Sequence, residues 1–275
     1  MEQKSYWESL GLQYKQKSAL IPWAGPITNK YIRYGQKDAL QGIKNRLQGK
    51  SILEIGCGTA YWFDYWREWG AKDVWGIDIS RPTLKLAGTE KVVQASARYL
   101  PFRSDIFDMV ITITTLQHLP SKDELGSSMK EISRILKGNG GQAILLEQSS
   151  PHLISLFAPL LTISKAEWEN LFPQYGFDLV ASCPVDPSAS LFAIDLLAQR
   201  VTKLIWGENP DDEPRQMLSP RSKLVRLYYL VKEALCLPSF LSLKIAKKFY
   251  PKLATHWLYI LERKDSPGDE KGGPD

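Results

Sequence analysis

Short apolar runs alternate with amphipathic stretches along this chain. Hydrophobic residues dominate 51–55, 74–79 and 107–113, which leaves too few polar positions for a solvent-facing side. Runs of this kind are typical of central parallel strands, and the stretches between them have helical spacing. The alternation predicts an α/β fold.

Further strands and helices follow from the same pattern. Four more strands are predicted, at 91–95, 142–147, 175–180 and 256–261. A helix is predicted over 59–69, and Ser121 begins another that runs to about Lys137. Ser164 and Glu167 form a capping box before a third. The 275 residues are enough for one α/β domain with an insertion, or for two small domains.

The stretch Ser51–Thr59 combines a predicted strand with a glycine turn that opens a helix. Gly56 and Gly58 allow a tight turn and the close approach of a ligand to the backbone. The helix that follows directs its free N–H groups at the same place. Asp78 ends the second strand 22 positions after Gly56. Its carboxylate is expected to face the ribose of a bound nucleoside.

The spacing of these glycines separates two classes of nucleotide-binding protein. A dinucleotide fingerprint would require a third glycine at Tyr61. The pattern Glu54-x-Gly56-x-Gly58-Thr59-Ala60 instead resembles the first motif of the class I S-adenosylmethionine-dependent methyltransferases. That motif is an acidic residue followed by x-Gly-x-Gly-x-Gly, and Ala60 stands at its last glycine.

Later stretches extend the resemblance over residues 50–183 and 255–263. They are Ser96-Ala-Arg-Tyr-Leu-Pro-Phe102, Phe107-Asp-Met-Val110, Leu116-Gln-His-Leu119 and Lys137-Gly-Asn-Gly-Gly141. The first is similar to the family stretch Asp-Ala-x-x-Leu-Pro-Phe, in which the Asp holds the adenine. Ser96 replaces that Asp with a neutral hydrogen-bonding group.

The resemblance implies an S-adenosylmethionine-dependent methyltransferase with no metal. The implied fold is a three-layer, Rossmann-like α/β fold. Its seven-stranded sheet is mostly parallel with an antiparallel last strand, and a helical insertion lies between strands six and seven. The implied cofactor-binding residues are Glu54, Gly56, Cys57, Gly58, Thr59, Asp78, Ile79, Ser96, Ala97 and Thr114.

The chain is predicted to divide into four regions. They are an N-terminal helical lid (1–48), the cofactor-binding core (49–183 plus 253–264), a helical cap (184–252) and a disordered tail (265–275). The N-terminal region has a second interpretation, as helices docked on the sheet by their aromatic residues. Within the cap we expect a helix through Trp206, a polar linker over 207–220 and helical segments over 221–251.

The basic charge is concentrated in the cap. Residues 200–252 carry eleven Lys and Arg against five Asp and Glu, whereas the whole chain has a net charge of +5. One interpretation is a solvated cap face. The other is contact of 221–252 with an anionic membrane or an acidic acceptor. No motif for nucleic-acid recognition is present.

The acceptor stays open at this point. A small molecule, a lipid or a glycan fits, and O-, N- and C-methylation are not resolved. Ile113-Thr-Thr-Leu116 stands where the amine-methylating branch has Asn-Pro-Pro-Tyr, which disfavours adenine or glutamine N-methylation.

His118 is the first candidate for a base, before His152 and Glu147, and no catalytic residue is assigned. A nicotinamide-dependent oxidoreductase and a non-catalytic S-adenosylmethionine-binding protein are the alternatives.

The cysteines and the apolar runs indicate a compartment. Cys57, Cys183 and Cys236 are scattered and odd in number, which fits a reducing cytoplasm. The first residues do not resemble a secretory signal, and no run reaches membrane-spanning length. A cytoplasmic protein is predicted, with or without peripheral membrane contact, and its oligomeric state stays open.

Overall fold

A computed structural model describes most of the chain. It covers residues 3–13, 26–138, 140–149, 160–186 and 223–264, with the single positions 193, 197 and 200. His152, the linker 207–220 and the tail 265–275 lie outside the described residues. Apart from those three single positions, so does the expected helix through Trp206.

The described residues form a seven-stranded sheet with the order β3-β2-β1-β4-β5-β7-β6. The strands are β1 Ser51–Ile55, β2 Asp73–Asp78, β3 Val92–Gln94, β4 Met109–Ile113, β5 Gln142–Gln148, β6 Phe177–Pro184 and β7 His256–Arg263. Strand β7 pairs antiparallel with both β5 and β6, and the remaining pairs are parallel. The predicted fold class is confirmed.

Helices cover both faces of the sheet. Those in the described part of the chain are α1 Gln3–Gly11, α2 Pro26–Leu40, α3 Phe63–Glu68, α4 Arg81–Leu84, α5 Lys122–Ile135, α6 Lys165–Leu171 and α7 Lys223–Phe249. Ser121 caps α5, and Ser164 with Glu167 forms the predicted capping box of α6.

The apolar core has two halves, one on each face of the sheet. Successive strand residues point to opposite faces. Leu53 therefore packs in the cluster that includes α5 and α6, and Ile52 packs in the cluster with α2 and α3. This three-layer arrangement brings the carboxyl ends of β1, β2, β4 and β5 to one edge of the sheet.

Two predicted boundaries are wrong for identifiable reasons. The helix after β1 begins at Phe63 and not at Thr59, because Ala60 has a left-handed backbone (φ 55°) that interrupts the turn. Strand β6 begins later and runs further than predicted. Gly176 (φ 78°) ends the preceding 3₁₀ turn, and pairing with β7 continues to Pro184.

The N-terminal region and the insertion pack on each other. Glu233 on α7 accepts hydrogen bonds from the backbone N–H groups of Ile27 (2.7 Å) and Thr28 (2.8 Å) at the start of α2. Asp38 near the end of α2 pairs with Lys247. Helix α2 is therefore joined to α7 near both of its own ends.

Candidate cofactor and acceptor site

The glycine turn after β1 needs its glycines for different reasons. Gly56 (φ 72°) and Gly58 (φ 54°) both have left-handed backbones. A side chain at Gly56 would overlap Thr115, whereas one at Gly58 would meet nothing closer than Thr83 Cγ2 at 3.7 Å. Gly56 thus serves the packing of the turn against the loop after β4, and Gly58 leaves space at the edge of the sheet.

Asp78 ties this turn to the end of β2. Its Oδ2 accepts the N–H of Gly58 (2.9 Å) and its Oδ1 accepts the N–H of Ser80 (2.8 Å). Burial raises the pKa of this carboxyl, and the backbone N–H groups partly oppose the shift. Because each carboxylate oxygen can accept two hydrogen bonds, both keep capacity for ligand hydroxyls.

Glu54 lies in the buried core next to the turn and is only 2% exposed. Trp66 Nε1 donates to its Oε2 (2.7 Å). Burial raises its pKa from 4.5 to about 8, against the opposing effects of the Trp66 hydrogen bond and the Arg33 charge. The Arg33 guanidinium lies 3.5 Å from the centre of the Tyr61 ring, so α2 contributes a cation to this end of the sheet.

Ser96 begins the turn after β3. Its hydroxyl accepts hydrogen bonds from the backbone N–H (3.3 Å) and the Nε (3.4 Å) of Arg98. Arg98 in turn pairs with Glu124 on α5. The residue that replaces the family's Asp is therefore held by a neighbouring arginine, and Ala97 beside it is 9% exposed.

The loop after β4 is held by Glu147 on β5. Thr114 has a left-handed backbone (φ 52°), which a residue other than glycine adopts only where its surroundings impose it. Glu147 accepts the hydroxyl of Thr112 (2.7 Å) and the N–H groups of Thr115, Leu116 and Gln117 (3.1–3.2 Å). Glu147 is fully buried and its role here is to anchor the loop.

Helix α1 lies across the same edge. The Trp7 ring packs against the His118 ring with centroids 4.9 Å apart. The Ser80 hydroxyl donates to the carbonyl of Trp7 (3.0 Å), and Gln94 bonds to Glu8 (3.2 Å). His118, the first candidate base, is therefore packed against α1.

One pair of functional groups at this edge had no signal in the sequence. Asp186 follows β6, and His256 begins β7. Asp186 Oδ1 accepts the N–H groups of Thr255 (3.1 Å) and His256 (2.8 Å). Its Oδ2 accepts the Thr255 hydroxyl (2.7 Å) and lies 2.8 Å from His256 Nδ1. The two residues are 70 positions apart and belong to no motif, so only the pairing of β6 with β7 brings them together.

The predicted cofactor residues gather at the carboxyl ends of β1 to β4. Cys57 and Thr59 are buried within the glycine turn, Ile79 is half-buried after β2, and Thr114 follows β4. Each predicted cofactor residue lies at or next to this edge.

No described helix has the length and apolarity needed to cross a membrane.

Comparison with known proteins gives the family. The family described as "Methyltransferase domain" matches residues 53–144. The methyltransferase GfsG of Streptomyces halstedii is 30% identical over an alignment of 197 residues, and the match covers 58% of this chain and 69% of GfsG. Demethylmenaquinone methyltransferase of Bacillus velezensis is 33% identical over an alignment of 129 residues, and the match covers 42% of this chain and 53% of that enzyme.

A solved structure agrees at the level of the fold. Magnesium protoporphyrin IX methyltransferase of Synechocystis PCC 6803, crystallised with bound S-adenosylmethionine, has a TM-score of 0.51 and 18% sequence identity. The match covers 67% of this chain and 91% of that enzyme. With the glycine turn, the acidic end of β2 and the sheet order all in place, the chain belongs to the class I S-adenosylmethionine-dependent methyltransferases.

Proposed function

We propose that S-adenosylmethionine binds across the ends of β1, β2 and β4 and that the protein transfers its methyl group to a small-molecule acceptor. One observation carries the assignment: Asp78 and the open Gly58 are joined by a hydrogen bond at the edge where the fold binds its ligands. When bound, the cofactor supplies a methyl group activated by a sulfonium.

The roles of the binding residues follow from their positions. Asp78 accepts hydrogen bonds from the ribose hydroxyls, and the turn around Gly58 receives the methionine part. Ser96 and Ala97 contact the adenine, with Ile79 beside them. Thr114 closes the site on the β4 side. The remaining members, Glu54, Cys57 and Thr59, set the shape of the turn from within the core.

The lid and the cap are part of the same proposal. Helix α1 excludes water from the donor, since Trp7 contacts Ser80 after β2 and His118 after β4, and Glu8 contacts Gln94 at the end of β3. The insertion, whose longest described segment is α7, covers the acceptor. Because α2 and α7 are bonded to each other, we expect residues 26–40 to belong with the cap.

The acceptor class is tested by untargeted labelling. Extract from cells that lack this protein is incubated with the purified protein and methyl-tritiated S-adenosylmethionine, and the labelled products are separated. A labelled small molecule, lipid or glycan would support the proposal. If the protein binds S-adenosylmethionine and labels nothing, methyl transfer is contradicted and the non-catalytic alternative is favoured.

We further propose that α7 rests on an anionic membrane, where an apolar acceptor would be found. Leu227, Leu230, Ile245 and Phe249 are each more than half exposed and share one side of the helix. Lys223, Arg226 and Lys248 are exposed on the same side. Glu233, the single acid of residues 223–252, faces α2 and not this side. An apolar face bordered by cations is the pattern of helices that lie in a membrane surface.

Vesicle flotation tests the membrane contact. The wild-type protein should float with phosphatidylglycerol vesicles and less with phosphatidylcholine vesicles. The double substitution Leu227→Glu/Leu230→Glu should abolish flotation. Val180→Glu, at an exposed site on β6, is the matched control and should float like the wild type. If the double variant floats like the wild type, the membrane contact is contradicted and this face is a solvated surface of the cap.

A further inference from the structure

The Asp186–His256 pair lies on the acceptor side of the sheet edge. Paired residues run across the sheet from Ile55 to Thr112, Leu145 and Tyr259. Gly58 lies three residues past Ile55 in the turn after β1, and His256 lies three residues before Tyr259 at the start of antiparallel β7. The row from Ile55 to Tyr259 crosses three strand spacings, about 14 Å. The crevice between such positions is where the fold binds its ligands.

The ring of His256 is oriented by Asp186. Burial would raise the pKa of Asp186, but the charge of a protonated His256 and the hydrogen bonds from His256 and the Thr255 hydroxyl outweigh burial and lower the pKa to about 2. The carboxylate is therefore ionised at neutral pH and can only accept hydrogen bonds. Nδ1 of His256 must be the protonated ring nitrogen of the neutral imidazole, which leaves the lone pair on Nε2.

Nε2 of His256 has no hydrogen-bond partner among the described residues. The His256 side chain is 19% exposed, and its Nδ1 side is turned into the contact with Asp186 and Thr255. On α2, which packs against Val185 and Asp186 at Gly35, Asp38 pairs with Lys247 of α7. An imidazole whose Nδ1 is held by a carboxylate and whose Nε2 has no partner among the described residues is the arrangement of a general base.

We propose that His256, held by Asp186, is the general base of this enzyme and that the acceptor is a hydroxyl compound, an alcohol or a phenol. This rests on the proposed methyl transfer. His256 Nε2 takes the proton of the acceptor hydroxyl as the acceptor oxygen forms its bond to the methyl carbon. The carbon–sulfur bond breaks, and its electron pair stays on sulfur, which loses its positive charge. The imidazolium then returns its proton to water.

A structural role alone is the competing explanation. Asp186 joins the two ends of the insertion through the N–H groups of Thr255 and His256, so removing it would disturb the cap whatever the ring does. The substitution His256→Asn separates the two roles. The asparagine amide can donate to Asp186 as Nδ1 does, but it supplies no base.

The experiment compares the wild type with His256→Asn. Methyl transfer from tritiated S-adenosylmethionine into the extract of cells that lack this protein should fall by at least about 100-fold. The affinity for S-adenosylmethionine and the melting temperature should stay unchanged. The products labelled by the wild type should be methyl ethers. Equal rates for the two proteins, or label on carbon or nitrogen only, would overturn the inference alone, whereas no label with the wild type would overturn the proposed function as well.

A second measurement does not depend on turnover. The chain has three histidines, so ¹⁵N spectra can be assigned by substitution. His256 should show the tautomer protonated at Nδ1, and Asp186→Asn should shift the ring towards the Nε2-protonated form. A wild-type ring protonated at Nε2 would contradict the proposed base.

Discussion

Glu54 is an acid that the fold holds mostly uncharged at neutral pH. Its pKa of about 8 follows from burial, because a single hydrogen bond from Trp66 does not offset the loss of water around a carboxylate.

Ala60 shows why the family motif has a glycine at this position of the turn. Its left-handed backbone (φ 55°) is strained for any residue with a side chain, and alanine carries the smallest one.

The raised pKa of Glu54 predicts a stability that depends on pH. Because the folded-state pKa is above its ordinary value of 4.5, the wild type should be most stable, relative to Glu54→Gln, below pH 4.5. That advantage should be lost as the pH rises to about 8, at up to about 1.4 kcal/mol per pH unit. Urea unfolding of both proteins at several pH values measures the difference. Parallel curves would mean that Glu54 is ionised in the folded protein.

Predictability from the sequence differed from residue to residue. The glycine turn and Asp78 were predictable because the geometry of a strand-to-helix turn fixes their spacing. The Asp186–His256 pair was not, since its members meet only through pairing of strands on either side of a long insertion. The hydrogen bond from Arg98 to Ser96 was also not predictable, because the sequence does not show which partner the Arg98 side chain binds.

At the scale of elements, the bond between α2 and α7 has the clearest consequence. The first N–H groups of a helix have no partner within it, and Glu233 supplies one for Ile27 and Thr28 from a distant helix. Helical structure was predicted in both regions from the sequence, but the contact of Glu233 with the start of α2 was not. The capping residue lies about 205 positions from the helix start.

Removing that cap should loosen the N-terminal region. Glu233→Ala should destabilise the protein by about 1–2 kcal/mol, since it leaves the N–H groups and the Thr28 hydroxyl without their acceptor. Urea unfolding measures the loss. Glu68→Ala, at an exposed position on α3, is the control and should change stability by less than about 0.5 kcal/mol. Equal effects of the two substitutions would contradict a capping role.

At the scale of the whole molecule, the packing residues and the predicted site residues occupy different parts of the sheet. Its two faces are buried against helices, and the predicted cofactor residues lie at the carboxyl ends of β1 to β4. The proposed position of the donor site follows from strand order and was predictable. The proposed acceptor site depends on the insertion, for which the family motifs supply no residues.

The central claim is that Asp78 marks the S-adenosylmethionine site. Isothermal titration with S-adenosylmethionine should show binding to the wild type and an affinity about ten- to a hundredfold lower for Asp78→Ala, a loss of about 1.5–3 kcal/mol. Asp73→Ala is the matched control. Asp73 begins the same strand at its opposite end, where it bonds to Lys91 and Trp75. The control should bind like the wild type, and circular dichroism should show both variants folded. An unchanged affinity in folded Asp78→Ala, or an equal loss in Asp73→Ala, would contradict the site.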